Sequence, residues 1–179
     1  MTRVSNKDRI DWGHNQIHFG RSFTIEAHNL SMSNGDTLNI AFKTGANHET
    51  HILIDFICKN SGHLEIIENP SWNAQSGSTI NIINRNRLCC TAIKSETEEN
   101  TSQADFKANE KISKDVANLT GGTVLYTEYA FGAKKSPPNV PRNEKEFILK
   151  KETKYAIIYT ADSDTNGAQI FLNWHEEES

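Results

Sequence analysis

The sequence predicts an all-β protein built as an antiparallel β-sandwich, and three observations carry that prediction. Apolar residues recur with a period of two in short runs: in Lys154–Thr160, Tyr155, Ile157 and Tyr159 fall on one face and Ala156 and Ile158 on the other. Turn-forming clusters such as Asn34-Gly35, Asn60-Ser61-Gly62 and Asn69-Pro70-Ser71 separate the runs. No stretch sustains a helical period, so the amphipathic crossover helices that an α/β sheet needs are missing.

Each element is justified by its own residues. A first strand is led in by Ile17-His18-Phe19-Gly20-Arg21-Ser22-Phe23 and runs to Asn29. Thr37–Lys43 follows, with Leu38, Ile40 and Phe42 inward. Thr50–Cys58 is the most apolar run, with Ile52, Ile54, Phe56 and Cys58 on one face and Leu53 and Ile57 on the other. That double-sided pattern predicts a central strand covered on both faces. His63–Glu68, Ser78–Ile83, Leu88–Lys94, Val124–Tyr129 and Glu146–Lys151 supply further short strands. Ser95–Asn118 is charged, with isolated Phe106, Ile112 and Val116; it holds either an edge strand with a short helical turn, or a mobile excursion. Lys154–Thr160 and Ala168–His175 flank Asp162–Gly167, a cluster rich in residues that tolerate positive φ, and are predicted to form a hairpin. The total is about nine or ten strands at a spacing of about eight to twelve residues, a number that fits a jelly roll. The 179 residues suit one domain, residues 17–179, preceded by a polar N-terminal arm, residues 1–16.

Composition narrows the function. With 36% hydrophobic residues and no long unbroken apolar run, no membrane span is expected, and the charged N-terminus lacks the apolar stretch of a signal peptide. The net charge of −4 is made of interspersed signs, with no basic stripe to neutralise a phosphate backbone, so nucleic acid is not the expected partner. Three cysteines, two of them the adjacent Cys89-Cys90, form no CxxC pair and read as thiols of a reducing cytoplasm.

The seven histidines raise a metal hypothesis, which the spacings do not support. His48-x-x-His51 straddles a loop and a strand start, His14 and His18 would share a face only on a helix, and His28 and His63 have no ligand at metal spacing in their own strands. No metal and no cofactor is therefore expected. Asp162-x-Asp164-x-Asn166-Gly167 matches the first half of a calcium loop, but its twelfth position is Asn173, not glutamate, and a strand connection is the better reading. No nucleophile elbow, HExxH, phosphate-cradling glycine loop or carboxylate pair stands out, and the chain is expected not to be an enzyme. Trp12, Trp72 and Trp174 would serve either as packing or as a sugar-stacking platform. The long loop Phe131–Asn143 carries Lys134, Lys135, Pro137, Pro138 and Arg142. Loops of that length generally bind something, and a protein contact is expected there.

Seven short motifs in order resemble a family of tailed-bacteriophage virion structural proteins, of the kind encoded near capsid genes. They are His18-x-Gly20-x-x-Phe23; Thr44-Gly45-Ala46; Asn84-Arg85-Asn86-Arg87; Gly121-Gly122 with Leu125-Tyr126; Glu146-Phe147-Ile148-Leu149-Lys150; Thr153-Lys154-Tyr155; and Trp174-His175-Glu176. Departures are the Lys/Pro-rich loop where the family has a glycine-rich one, the charged Ser95–Asn118 segment and the cysteine pair. The resemblance implies a jelly-roll head decoration or cement protein that binds the major capsid protein on the capsid surface of the virion. It further implies assembly as a homotrimer after synthesis in the host cytoplasm. Contacts are then expected from Trp12 in the arm, from Asn84, Arg85 and Arg87, and from Lys134, Lys135, Pro137, Pro138 and Arg142 in the loop. The competing expectations are a carbohydrate-binding module or host-attachment fibre, and a cupin-like metalloenzyme.

Overall fold

The computed structural model describes residues 17–18, 20–73, 76–86, 112–131 and 146–178. The strands are β1 (Ser22–Met32), β2 (Thr37–Lys43), β3 (His48–Cys58), β4 (Gly62–Glu68), β5 (Ser78–Thr79), β6 (Ile83–Asn84), β7 (Ser113–Lys114), β8 (Thr123–Ala130), β9 (Glu146–Leu149), β10 (Lys154–Ala161) and β11 (Asn166–Glu178). They form two antiparallel sheets, a five-stranded one ordered β6-β1-β11-β3-β9 and a six-stranded one ordered β5-β7-β2-β10-β4-β8. The class expected from the period-two pattern is therefore present: an all-β protein of two antiparallel sheets with a shared apolar core.

The core sits between the inward faces. Ile25, Leu38, Ile40, Phe42, Ile52, Leu64, Tyr155, Ile157, Tyr159, Ile170, Leu172 and Trp174 are all buried there. Each such side chain contributes about 1.5–3 kcal/mol when removed from water. Trp174 stacks on Phe23 at 5.4 Å between ring centroids, and its indole N–H donates to Glu176 Oε1 at 3.2 Å, which satisfies the one polar atom of the ring.

Two expectations need correction. Lys154–Thr160 and Ala168–His175 do not make a hairpin, because β10 pairs with β2 and β4 while β11 pairs with β1 and β3. The Asp162–Thr165 connection carries the chain from one sheet to the other. It is held from both sides: Asn34 N–H donates to Asp164 Oδ1 at 3.0 Å, and the Asn166 amide donates to Ser61 O at 2.8 Å and to Tyr159 OH at 3.1 Å. Asp162 meets His63 Nδ1 at 3.1 Å. These oxygens engage separate partners and do not converge as a calcium loop requires. The second correction is that β3, expected to be covered on both faces, is fully buried on one only. Ile52, Ile54, Phe56 and Cys58 are buried, but Ile57 is 39% exposed on the outer side.

Boundaries moved elsewhere. The first strand starts at Ser22, and the described strands number eleven, three of them only two residues long. Ile112 and Val116, isolated apolar positions in the charged segment, enter the interior, where Asn39 holds Val116 by accepting its N–H at 2.9 Å. The arm 1–16, Leu88–Lys94 and residues 95–111 lie outside the described residues.

Candidate functional site

Of the sequence-predicted contact residues, only Asn84 and Arg85 fall among the described residues; Trp12, Arg87, Lys134, Lys135, Pro137, Pro138 and Arg142 lie outside them. Asn84 pairs with Phe23 as β6 lies along β1, and its amide donates to Gly20 O at 2.7 Å. Arg85 N–H donates to Ser22 O at 2.8 Å, and Asn86 reaches His18 O at 2.9 Å. The Asn-Arg-Asn segment thus clamps the chain entering β1, and Asn84 has an internal structural task.

Other motifs also meet one another. The Thr44 hydroxyl donates to Lys150 O at 2.6 Å and accepts from Thr153 N–H at 3.0 Å, joining the turn after β2 to the turn after β9. Tyr155 OH accepts from Lys150 N–H at 3.0 Å and donates to Glu68 Oε2 at 2.9 Å, while Lys150 Nζ lies 2.8 Å from Glu68 Oε1. The hydrogen bond from Lys150 lowers the Glu68 pKa below its ordinary value, whereas burial pushes the Tyr155 hydroxyl up to about 12. These residues hold the scaffold in register.

The tryptophans divide. Trp174 belongs to the core and Trp72 lies under Lys154 Nζ at 4.7 Å, so with Trp174 buried the three do not form a surface platform.

The surface that remains is one edge of the sandwich. β8 ends the described six-stranded sheet and β9 the five-stranded one, and the two are neighbours, since the Tyr126 and Phe147 rings meet edge-on at 5.7 Å. Along this edge Val124, Leu125, Tyr129, Phe131 and Ile148 are 50%, 41%, 58%, 87% and 64% exposed. The local cause of part of this is a bulge: Ile66 faces Tyr126 but Ile67 faces Val124, so Leu125 is an extra residue and consecutive Val124 and Leu125 are both exposed, while Tyr126 packs against the core. Gly122 makes the entry to β8 feasible, with φ at +90° and no room for a Cβ against Glu68 O, 2.7 Å away. Further along, Tyr129 lies between His63 and Phe131, with centroid distances of 5.4 and 6.3 Å. This edge was not legible as a surface from sequence, because its alternation looks like that of any half-buried strand.

A second constellation lies on the outer face of the five-stranded sheet. His51 of β3 is the cross-strand partner of His175 of β11, and the rings stack with centroids 4.6 Å apart. Glu177 lies two residues along the same strand face, with His51 Nε2 3.9 Å from Oε2 and His175 Nε2 3.8 Å from Oε1. Glu146 of β9 closes the group, its Oε1 lying 3.2 Å from His51 Nδ1. Both histidine side chains are only 12% exposed, and burial, together with the neighbouring His51, holds the pKa of His175 down to about 4. The sequence reading missed this group because its members are adjacent only through strand pairing.

No family model, curated protein or solved structure matches the chain.

Proposed function

We propose that the chain is a virion structural protein of a tailed bacteriophage, a non-enzymatic head decoration or cement protein on the capsid exterior. The observation that carries the reading is the apolar β8/β9 edge. Natural sheets blunt their free edges with charge, proline or short strands, and a cluster of exposed large apolar residues on an edge marks a protein contact. Here the edge presents two aromatic rings and three aliphatic side chains from β8, β9 and the residue after β8. It leads directly into the loop for which a protein contact is expected on sequence grounds. The partners are the major capsid protein and further copies of this chain. In a homotrimer each weak contact is multiplied by effective concentration.

The strand order supports a jelly roll. β1-β11-β3-β9 in one sheet and β2-β10-β4-β8 in the other place successive long strands in alternate layers, except β4 and β8, which are neighbours. The fold alone does not choose a function. The edge and the seven ordered motifs favour the capsid reading over a carbohydrate-binding module or attachment fibre, whose aromatic platform would need Trp174 at the surface.

Quantitative mass spectrometry of purified virions tests the assignment. The expected result is a copy number that scales with the major capsid protein. Absence from virions, or recovery only with detached tails, overturns it.

A further inference from the structure

We propose that His51, His175 and Glu177 bind a structural zinc ion on the outer face of the five-stranded sheet. One ligand atom from each residue already lies within 4.8 Å of the other two. Zinc takes imidazole nitrogen and carboxylate oxygen at about 2.0–2.2 Å, which places tetrahedral ligand atoms roughly 3.4 Å apart. The two carboxylate distances run to different oxygens, 3.9 Å from His51 Nε2 to Oε2 and 3.8 Å from His175 Nε2 to Oε1. Closing the three ligand atoms from within 4.8 Å to the tetrahedral spacing therefore needs an inward movement of up to about 1.4 Å. Rotation of the two rings and the carboxylate about their side-chain bonds would supply that movement.

Three independent features point to a cation of this class. The donor set is two imidazoles and one carboxylate, which suits zinc; calcium and magnesium prefer oxygen alone. Glu177 Oε1 is a buried carboxylate oxygen with no hydrogen-bond partner among the described residues, a costly arrangement that a cation relieves. Glu146 Oε1 stands 3.2 Å from His51 Nδ1, the ring atom that stays free for a second partner when Nε2 takes the metal. A carboxylate at that position accepts the N–H and orients the ring, the usual support for a ligating histidine. The ion would fasten β3 to β11, and through Glu146 also β9, at the end of the sheet next to the apolar edge. This site stands on its own geometry and does not depend on the capsid reading.

The test uses the untagged full-length chain, stripped of metal and titrated with zinc chloride against a chromophoric chelator. The expected result is about one zinc per chain and a rise in Tm on zinc addition. His175→Asn and Glu177→Gln are expected to weaken binding by more than about 100-fold, and Glu146→Gln by about 10–100-fold with stoichiometry retained. His28→Asn, at an exposed position on β1, is expected to bind as the parent does. The proposal is overturned if the parent chain takes up no zinc or shows no Tm shift, or if His28→Asn weakens binding as much as His175→Asn. Far-UV circular dichroism checks that each variant is folded. Should His175→Asn not fold, the parent titration and Glu177→Gln decide in its place.

Discussion

The two long edges of the sandwich are built in opposite ways. On one side, β6 and the β5/β7 pair are two-residue strands tied down by side chains, with Asn84 holding Gly20 and Asn39 holding Val116. On the other, β8 is an eight-residue strand whose outward side chains include Val124, Leu125 and Tyr129, followed directly by Phe131. Short strands closed by amide-to-backbone bonds leave little unpaired edge to template another chain. A long bulged strand with aromatic rings facing water leaves a surface that gains by being covered. The contrast separates residues that hold the fold from residues that leave apolar area in water.

Single substitutions test this contrast. The largest effect belongs to the core behind both edges: Trp174→Ala removes a fully buried ring stacked on Phe23. It is expected to cost about 3–5 kcal/mol in urea denaturation. Next is Tyr155→Phe, which leaves Glu68 Oε2 and Lys150 N–H without their shared hydroxyl and should cost about 1–3 kcal/mol.

The same hydroxyl gives a pH signature. Burial raises the Tyr155 pKa from 10.0 to about 12, so the folded chain keeps a proton that the unfolded chain releases. That contribution is complete below pH 10.0 and is lost as pH rises through about 12. Glu68 has the opposite sign: its pKa is lowered from 4.5, so its contribution is present above that value and is lost as pH falls. Alkaline denaturation of Tyr155→Phe should accordingly be shallower than that of the parent between these limits. An unchanged slope would show that the Tyr155 hydroxyl does not set this pH dependence. The smallest stability effect is Asn84→Ala on the closed edge, about 1 kcal/mol in the same urea assay, with binding behaviour unaltered.

What could be read from sequence follows from what is local. The β2 limits, the inward Leu38, Ile40 and Phe42, and the faces of β10 and β11 come from a two-residue period that each strand carries alone. The layer to which a strand belongs is not local. Asp162–Gly167 has the chemistry of a tight turn whether the chain folds back in one sheet or crosses to the other, and only the pairing with β1, β3, β2 and β4 decides. The outward face of β3 is unreadable for a similar reason, since Leu53 and Ile57 do not reveal what covers them. The His51–His175 pair is a register property of β3 and β11, invisible to any rule based on spacing within one segment. Among the predicted contact residues, Asn84 shows how a motif residue can serve the scaffold while the apolar edge lies elsewhere in the chain.

One binding assay compares the two edges side by side. Decoration-free phage shells are mixed with the parent chain, with Tyr129→Ser/Phe131→Ser on the open edge, and with Asn84→Ala on the closed edge, then sedimented. Because both rings are exposed, the double variant should keep its unfolding free energy in urea to within about 0.5 kcal/mol. This folded double variant is expected to stay in the supernatant while the parent and Asn84→Ala pellet with the shells. Co-sedimentation of the double variant at parental levels would contradict this.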